Sequence, residues 1–128
     1  MKNSQDSVYP SDWHKIAEKD MQRVKTMLEL DDPEAAGFFM QQSLEKYLKA
    51  FLLQHRWKLK KLHNLYTLLD TAVVYKPSLE KYRTLCERVS GYYISERYPA
   101  LVNTELTCED IEKNIYEAEK FINELTME

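Results

Sequence analysis

Proline and glycine placement constrains this chain more than any other feature. The 128 residues include four prolines and two glycines. Pro10, Pro33, Pro77 and Pro99 each fall between stretches of helical hydrophobic periodicity, where a fixed φ and a missing N–H do least harm. A β-rich chain needs turn glycines, and this one lacks them. The prolines therefore mark joints between helices.

Ser11 is the expected N-cap of a first helix. Trp13, Ile16, Ala17, Met21, Val24, Met27 and Leu28 then recur on one face at about 3.6 residues per turn. Asp32-Pro33 reads as an N-cap followed by proline at the first helical position. The second helix it opens carries a core stripe of Ala36, Phe39, Met40, Ser43, Leu44, Tyr47, Leu48 and Phe51, and runs to Gln54, roughly 30 Å. A shorter third helix holds Leu62, Leu65, Leu68, Leu69, Ala72 and Val73. Pro77-Ser78 separates it from a fourth with Leu79, Tyr82, Leu85, Cys86, Val89 and Tyr93. Thr107 and Asp110 form a capping-box start for a last helix bearing Ile111, Ile115, Ala118, Ile122 and Leu125.

Amphipathic helices of this kind hide their apolar faces against one another. The expected fold is all-α, an antiparallel bundle of four long helices plus one short one. Residues 1–10 read as a flexible tail and residues 11–128 as a single domain.

Composition narrows the function classes. Cys86 and Cys108 are too few for a disulfide framework or a Cys-rich zinc site, and read as inert core thiols. No apolar run approaches the roughly 18 residues needed to span a bilayer, and the first residues lack the apolar stretch of a signal peptide, so a cytoplasmic location is expected. His14 and His55 are isolated, and no His, Asp or Glu spacing suggests zinc or a two-metal centre. Two glycines cannot build a phosphate loop. No metal and no cofactor are expected.

The net charge of −3 hides an uneven distribution. Residues 43–63 hold six basic side chains (Lys46, Lys49, Arg56, Lys58, Lys60, Lys61) and one acid, Glu45, whereas residues 105–128 hold eight acids and two lysines. The basic stretch reads either as a phosphate- or nucleic-acid-facing patch or as a solvated connector whose lysines favour the helix C-terminus. Trp57, inside it, could stack on a base or plug the end of the bundle.

Several fragments occur in a telling order. The first helix carries Asp12-Trp13 and Ala17-x-x-Asp20. The second carries Gln42-x-x-Glu45-Lys46-x-x-Lys49-Ala50, and the third opens with His63-Asn64-Leu65. The fourth ends in Tyr92-Tyr93-Ile94-Ser95-Glu96-Arg97-Tyr98-Pro99, and the last follows the Thr107 cap. Over residues 11–125 this order resembles the HEPN (higher eukaryotes and prokaryotes nucleotide-binding) domain family. The resemblance implies a helical bundle that often dimerises. It also implies association with a small nucleotidyltransferase in toxin–antitoxin-like or defence modules. Many members are metal-independent endoribonucleases that use an Arg and a His separated by four to six residues.

Here the sequence departs from that pattern. Arg97 matches the family arginine, but the positions for the histidine are Val102, Asn103 and Thr104. Cleavage of RNA through its 2′-hydroxyl needs a group that moves that proton, and histidine is the usual one near neutral pH. The reading that follows is a non-catalytic domain binding a nucleotide, a nucleotidyltransferase partner, or both. Lys46, Lys49, His63, Arg97 and Tyr98 are its candidate phosphate-binding residues. One alternative is an endoribonuclease with an atypical catalytic set, Arg97 with His63. Another is a structural dimer or adaptor without a ligand. A homodimer, a nucleotidyltransferase, and a nucleotide or RNA are the expected partners; a membrane is not, and nothing points to DNA. Each candidate also has a plainer reading: Glu45–Lys49 as an i,i+4 pair, Arg97 as a loop-fixing salt bridge, His63 as a cap.

Overall fold

A computed structural model describes residues 7–60, 64–97 and 106–127, with residues 93–97 described by their backbone alone. Among the described residues five α-helices follow in chain order: α1 (Pro10–Glu29), α2 (Pro33–Gln54), α3 (Leu65–Tyr75), α4 (Arg83–Arg97) and α5 (Cys108–Thr126). A 3₁₀ segment, Pro77–Tyr82, runs directly into α4, so Pro77 starts a tight turn that the α-helix then continues. Among the described residues there is no strand. The protein is an all-α bundle.

The helix ends follow from local chemistry. Asp32 accepts a hydrogen bond from the Ala35 N–H (3.2 Å) ahead of Pro33, and Asn64 accepts one from Tyr66 (2.8 Å). Thr107 and Asp110 close a reciprocal capping box. At α1 the expected cap is displaced: Ser11 lies inside the helix, and Ser7 secures the approach to it. The Ser7 hydroxyl donates to Asp12 (2.6 Å) and accepts from the Tyr9 N–H (3.1 Å), while its carbonyl accepts from the Trp13 indole (2.9 Å).

Two helices close with left-handed residues that are not glycine. After α1, Asp31 has φ 57°, with Asp31 and Asp32 donating to the carbonyls of Leu28 and Met27. After α2, Arg56 has φ 63°, with Arg56 and Trp57 donating to Leu53 and Leu52. Both are Schellman closures, a place where glycine is usual.

α2 is the central element, packed against α1, α3, α4 and α5. Met40, Leu44, Leu48 and Leu52 are fully buried along it, and so are side chains on its other sides, Gln41, Glu45 and Lys49. α1 runs antiparallel to it: Ser43 donates to the Ala17 carbonyl (2.8 Å), Lys49 lies over Trp13, and Arg23 lies over Phe39. α5 runs antiparallel to α4, tied by Arg88 to Asn114 (3.1 Å) and Glu117 (3.0 Å). Gly37 sets the spacing of α2 from α4. A Cβ there would stand 2.9 Å from Tyr92 Cβ and 3.2 Å from Ile111 Cδ1.

Candidate functional site

The charged residues of α2 form a seam inside the bundle rather than a solvated face or an open cleft. Asp20, on α1, is 2% exposed and accepts from Lys46 Nζ (2.5 Å) and Arg23 (2.7 Å). One turn along α2, Lys49 Nζ lies 3.0 Å from Glu45, with both side chains almost fully buried. Gln42 donates to Gln41 (2.6 Å), and Gln41 donates to Glu45 (3.4 Å). Lys49 Nζ also sits 5.1 Å above the Trp13 ring, a cation–π contact. Gln41, Glu45 and Lys49 make interactions beyond these. Burying charge is costly unless it is paired and hydrogen-bonded, and this seam does both.

Beside the seam, Tyr47 packs against His14, with ring centroids 5.8 Å apart. Burial, and then the negative charge of Glu18, push the Tyr47 phenol up to about 12. On the opposite side of the bundle, Asn114 donates to the buried Tyr92 hydroxyl and to the Asp110 carbonyl (3.0 Å).

Two further features reach solvent. The α2–α3 connector exposes His55, Arg56, Lys58 and Lys60, while Trp57 packs against the core. The tryptophan therefore plugs the bundle end, one of the two roles its sequence position suggested. Lys81, Tyr82, Lys113, Tyr116, Glu117 and Lys120 line a shallow groove of about 490 Å³ along α5. Lys81 is already paired there with Glu124 (2.7 Å).

Of the residues singled out in the sequence, Lys46 and Lys49 are brought together on α2, each with a carboxylate partner. Arg97 is the last residue of α4, a turn and a half beyond Tyr92, and its side chain lies outside the described residues. His63 and Tyr98 lie outside them too, as do Leu62, the Tyr93 side chain and residues 1–6 of the expected tail. Asp20, Gln41 and Trp13 were not anticipated as members of a polar seam. The signal for Asp20 was present: it falls within the apolar stripe of α1, between Ala17 and Val24.

Cys86 is buried, and burial pushes its thiol up to about 12. Cys108 is half-buried and donates to Asp31 (3.3 Å). Among the described residues, no group of three or more His, Cys, Asp or Glu could hold a metal, and no helix is long and apolar enough to cross a membrane.

The family profile of the HEPN domain matches residues 10–127, nearly the whole chain. The protein belongs to the HEPN family. The crystal structure of TT1696 from Thermus thermophilus is similar to this HEPN chain with a TM-score of 0.75 and 24% identity, over 91% of this chain and 94% of that one. At that identity the likeness concerns the fold. Comparison with curated protein sequences gave no match.

Proposed function

We propose that this HEPN domain is a non-catalytic binding module whose ligand is a nucleotidyltransferase partner protein, a nucleotide, or both. The observation that carries this reading is the family arginine, Arg97, without a histidine at the family spacing, where Val102, Asn103 and Thr104 stand. Family membership supplies the rest, since HEPN domains commonly dimerise and many accompany nucleotidyltransferases.

The ion pairs favour the protein partner over the nucleotide. Lys46 and Lys49 already hold Asp20 and Glu45, and a phosphate would have to compete with those carboxylates for cations mostly shielded from water. On this reading Arg97, His63 and Tyr98 are the residues that would meet the partner, and Lys46 and Lys49 stiffen α2.

Three measurements test the proposal. Incubation with end-labelled RNA is expected to leave it intact. Cleavage that disappears in both Arg97→Ala and His63→Ala would establish the ribonuclease alternative instead. Calorimetric titration with ATP and GTP tests the nucleotide branch, and heat abolished by Lys46→Ala would favour it over the protein branch. If a small nucleotidyltransferase gene adjoins this one, light scattering of the chain mixed with its product is expected to show a complex heavier than either component. A mixture that runs as the two separate components, together with no heat from either nucleotide, would leave only an adaptor or structural dimer.

A further inference from the structure

The α2–α3 connector carries a set of features that the family reading does not use. No acidic residue occurs between Glu45 and Asp70, and Asp70 is held by Arg83 at 2.7 Å. Arg56, Lys58 and Lys60 are exposed, and none has an ion-pair partner among the described residues.

Their arrangement is ordered from beneath. Trp57, packed against the core, and Leu59 are half-buried, while Lys58 and Lys60 are exposed. This alternation is the pattern of extended backbone, in which side chains two residues apart share a side and stand roughly 7 Å apart. That step is comparable with the spacing of successive phosphates along an extended single strand. The Schellman closure at Leu52 and Leu53 fixes where this segment starts.

Arg56 adds a conformational argument. It occupies left-handed backbone at φ 63°, where a side chain is disfavoured and glycine is the usual residue. Asp31, at the equivalent position after α1, has one of the short polar side chains that tolerate this region, whereas Arg56 does not. Strain kept at a solvent-exposed cation points to a use for the cation.

An aromatic stack built on His55, the residue before Arg56, borders the connector. Phe51 is buried, His55 lies against it with centroids 4.5 Å apart, and Tyr75 stacks on His55 at 4.8 Å with an interplanar angle of 26°. The stack rises from the core to solvent and ends in Tyr75, which is 43% exposed. Aromatic rings beside a track of cations are the means by which proteins hold single strands without reading sequence.

We propose that the connector, with Arg56, Lys58 and Lys60 on the phosphates and Tyr75 under a base, is a binding surface for single-stranded nucleic acid. This surface is separate from the Arg97 end of α4 and does not depend on the partner reading above. It requires no cleavage.

Fluorescence anisotropy with labelled oligo-uridylate and oligo-thymidylate, read across a salt series, tests it with the full chain. Both probes are expected to bind at low salt. Lys58→Ala/Lys60→Ala should weaken binding at least tenfold and lower the slope of log K against log salt by about 1.4, the share of two phosphates on a single strand. Tyr75→Ala should weaken binding about fivefold or more and leave that slope unchanged. Arg56→Gly should raise the melting temperature while weakening binding, a combination that loss of structure cannot produce. Lys113→Ala/Lys120→Ala removes the same charge from α5 and should leave binding unaltered. The proposal is overturned if neither probe binds at low salt, or if the α5 variant weakens binding as much as the connector variant. It is also overturned if vesicles containing phosphatidylserine bind as tightly as the strands and Tyr75→Ala changes nothing.

Discussion

Replacing Lys49 by methionine removes the charge while keeping an unbranched side chain of similar length. At 3.0 Å from Glu45, the gross Coulomb attraction is about 5 kcal/mol for an effective dielectric near 20. Desolvation of the two ions offsets most or all of it, so the pair itself adds little net stability. The consequence of breaking it is different. Lys49→Met leaves the Glu45 carboxylate, 3% exposed, inside the bundle without its lysine, which should cost about 3 to 5 kcal/mol. Glu45→Gln, which strands the lysine but keeps an acceptor for Gln41, should cost about 2 to 4 kcal/mol. The double substitution buries no unpaired charge and should lie within about 1 kcal/mol of the parent, giving a coupling energy of about 4 kcal/mol or more. Urea titrations followed by far-ultraviolet circular dichroism measure all four proteins. Thermal midpoints should move by roughly 3 to 5 °C per kcal/mol in a chain of this size. A Lys49→Met protein within about 0.5 kcal/mol of the parent, or single effects that simply add, would refute the view of this pair as a buried unit. Retained stability combined with lost ligand affinity would instead make Lys49 a binding residue.

Three other expectations concern separate parts of the molecule. Gly37→Ala should destabilise by about 1 to 3 kcal/mol, because the added Cβ meets the base of the Tyr92 side chain, which Asn114 holds in place; Gly91→Ala, with nothing near its Cβ, should gain up to about 1 kcal/mol from helix propensity. A thiol reagent at neutral pH should modify Cys108 in the native protein and both cysteines in denaturant, as counted by absorbance, because Cys86 is buried and stays protonated. Tyr47 ionises near pH 12 when folded and near about 10 when unfolded, so its contribution is complete below pH 10 and lost as pH rises towards 12, by about 2 to 3 kcal/mol. Tyr47→Phe should flatten that part of the stability-versus-pH curve.

The starts of α2 and α5 were legible because they depend on neighbouring residues, whereas the Ser11 cap expected for α1 was not found. Asp32-Pro33 and the Thr107–Asp110 box act through bonds spanning three residues, which a sequence displays directly. The helix ends were less legible. Asp31 and Arg56 take conformations usually marked by glycine, and neither residue announces it. The surroundings of α2 were the least legible. A repeat of Gln41, Glu45 and Lys49 has the spacing of a solvent-facing stripe, and its burial follows from four other helices packing around α2, a long-range property. Arg97 stands as a motif residue on its sequence position alone. The bearing of its side chain, and of His63 and Tyr98, on any ligand lies outside the described residues.

The Asp20 pairing also governs how α1 can move. Apolar stripes repeat every turn, so a helix held by Ala17, Met21 and Val24 alone could slip along its neighbour by one turn and find nearly equivalent packing. Asp20 does not repeat. A shift of about 5 Å would part its buried carboxylate from Lys46 on α2, leaving it only Arg23 of its own helix, and would part Ser43 from the Ala17 carbonyl. The charges thus act as an index pin: they add little to how tightly α1 is held, but they leave it one place to sit. Substitutions in the apolar stripe can therefore accumulate without changing the alignment of the two helices, so long as the pin remains.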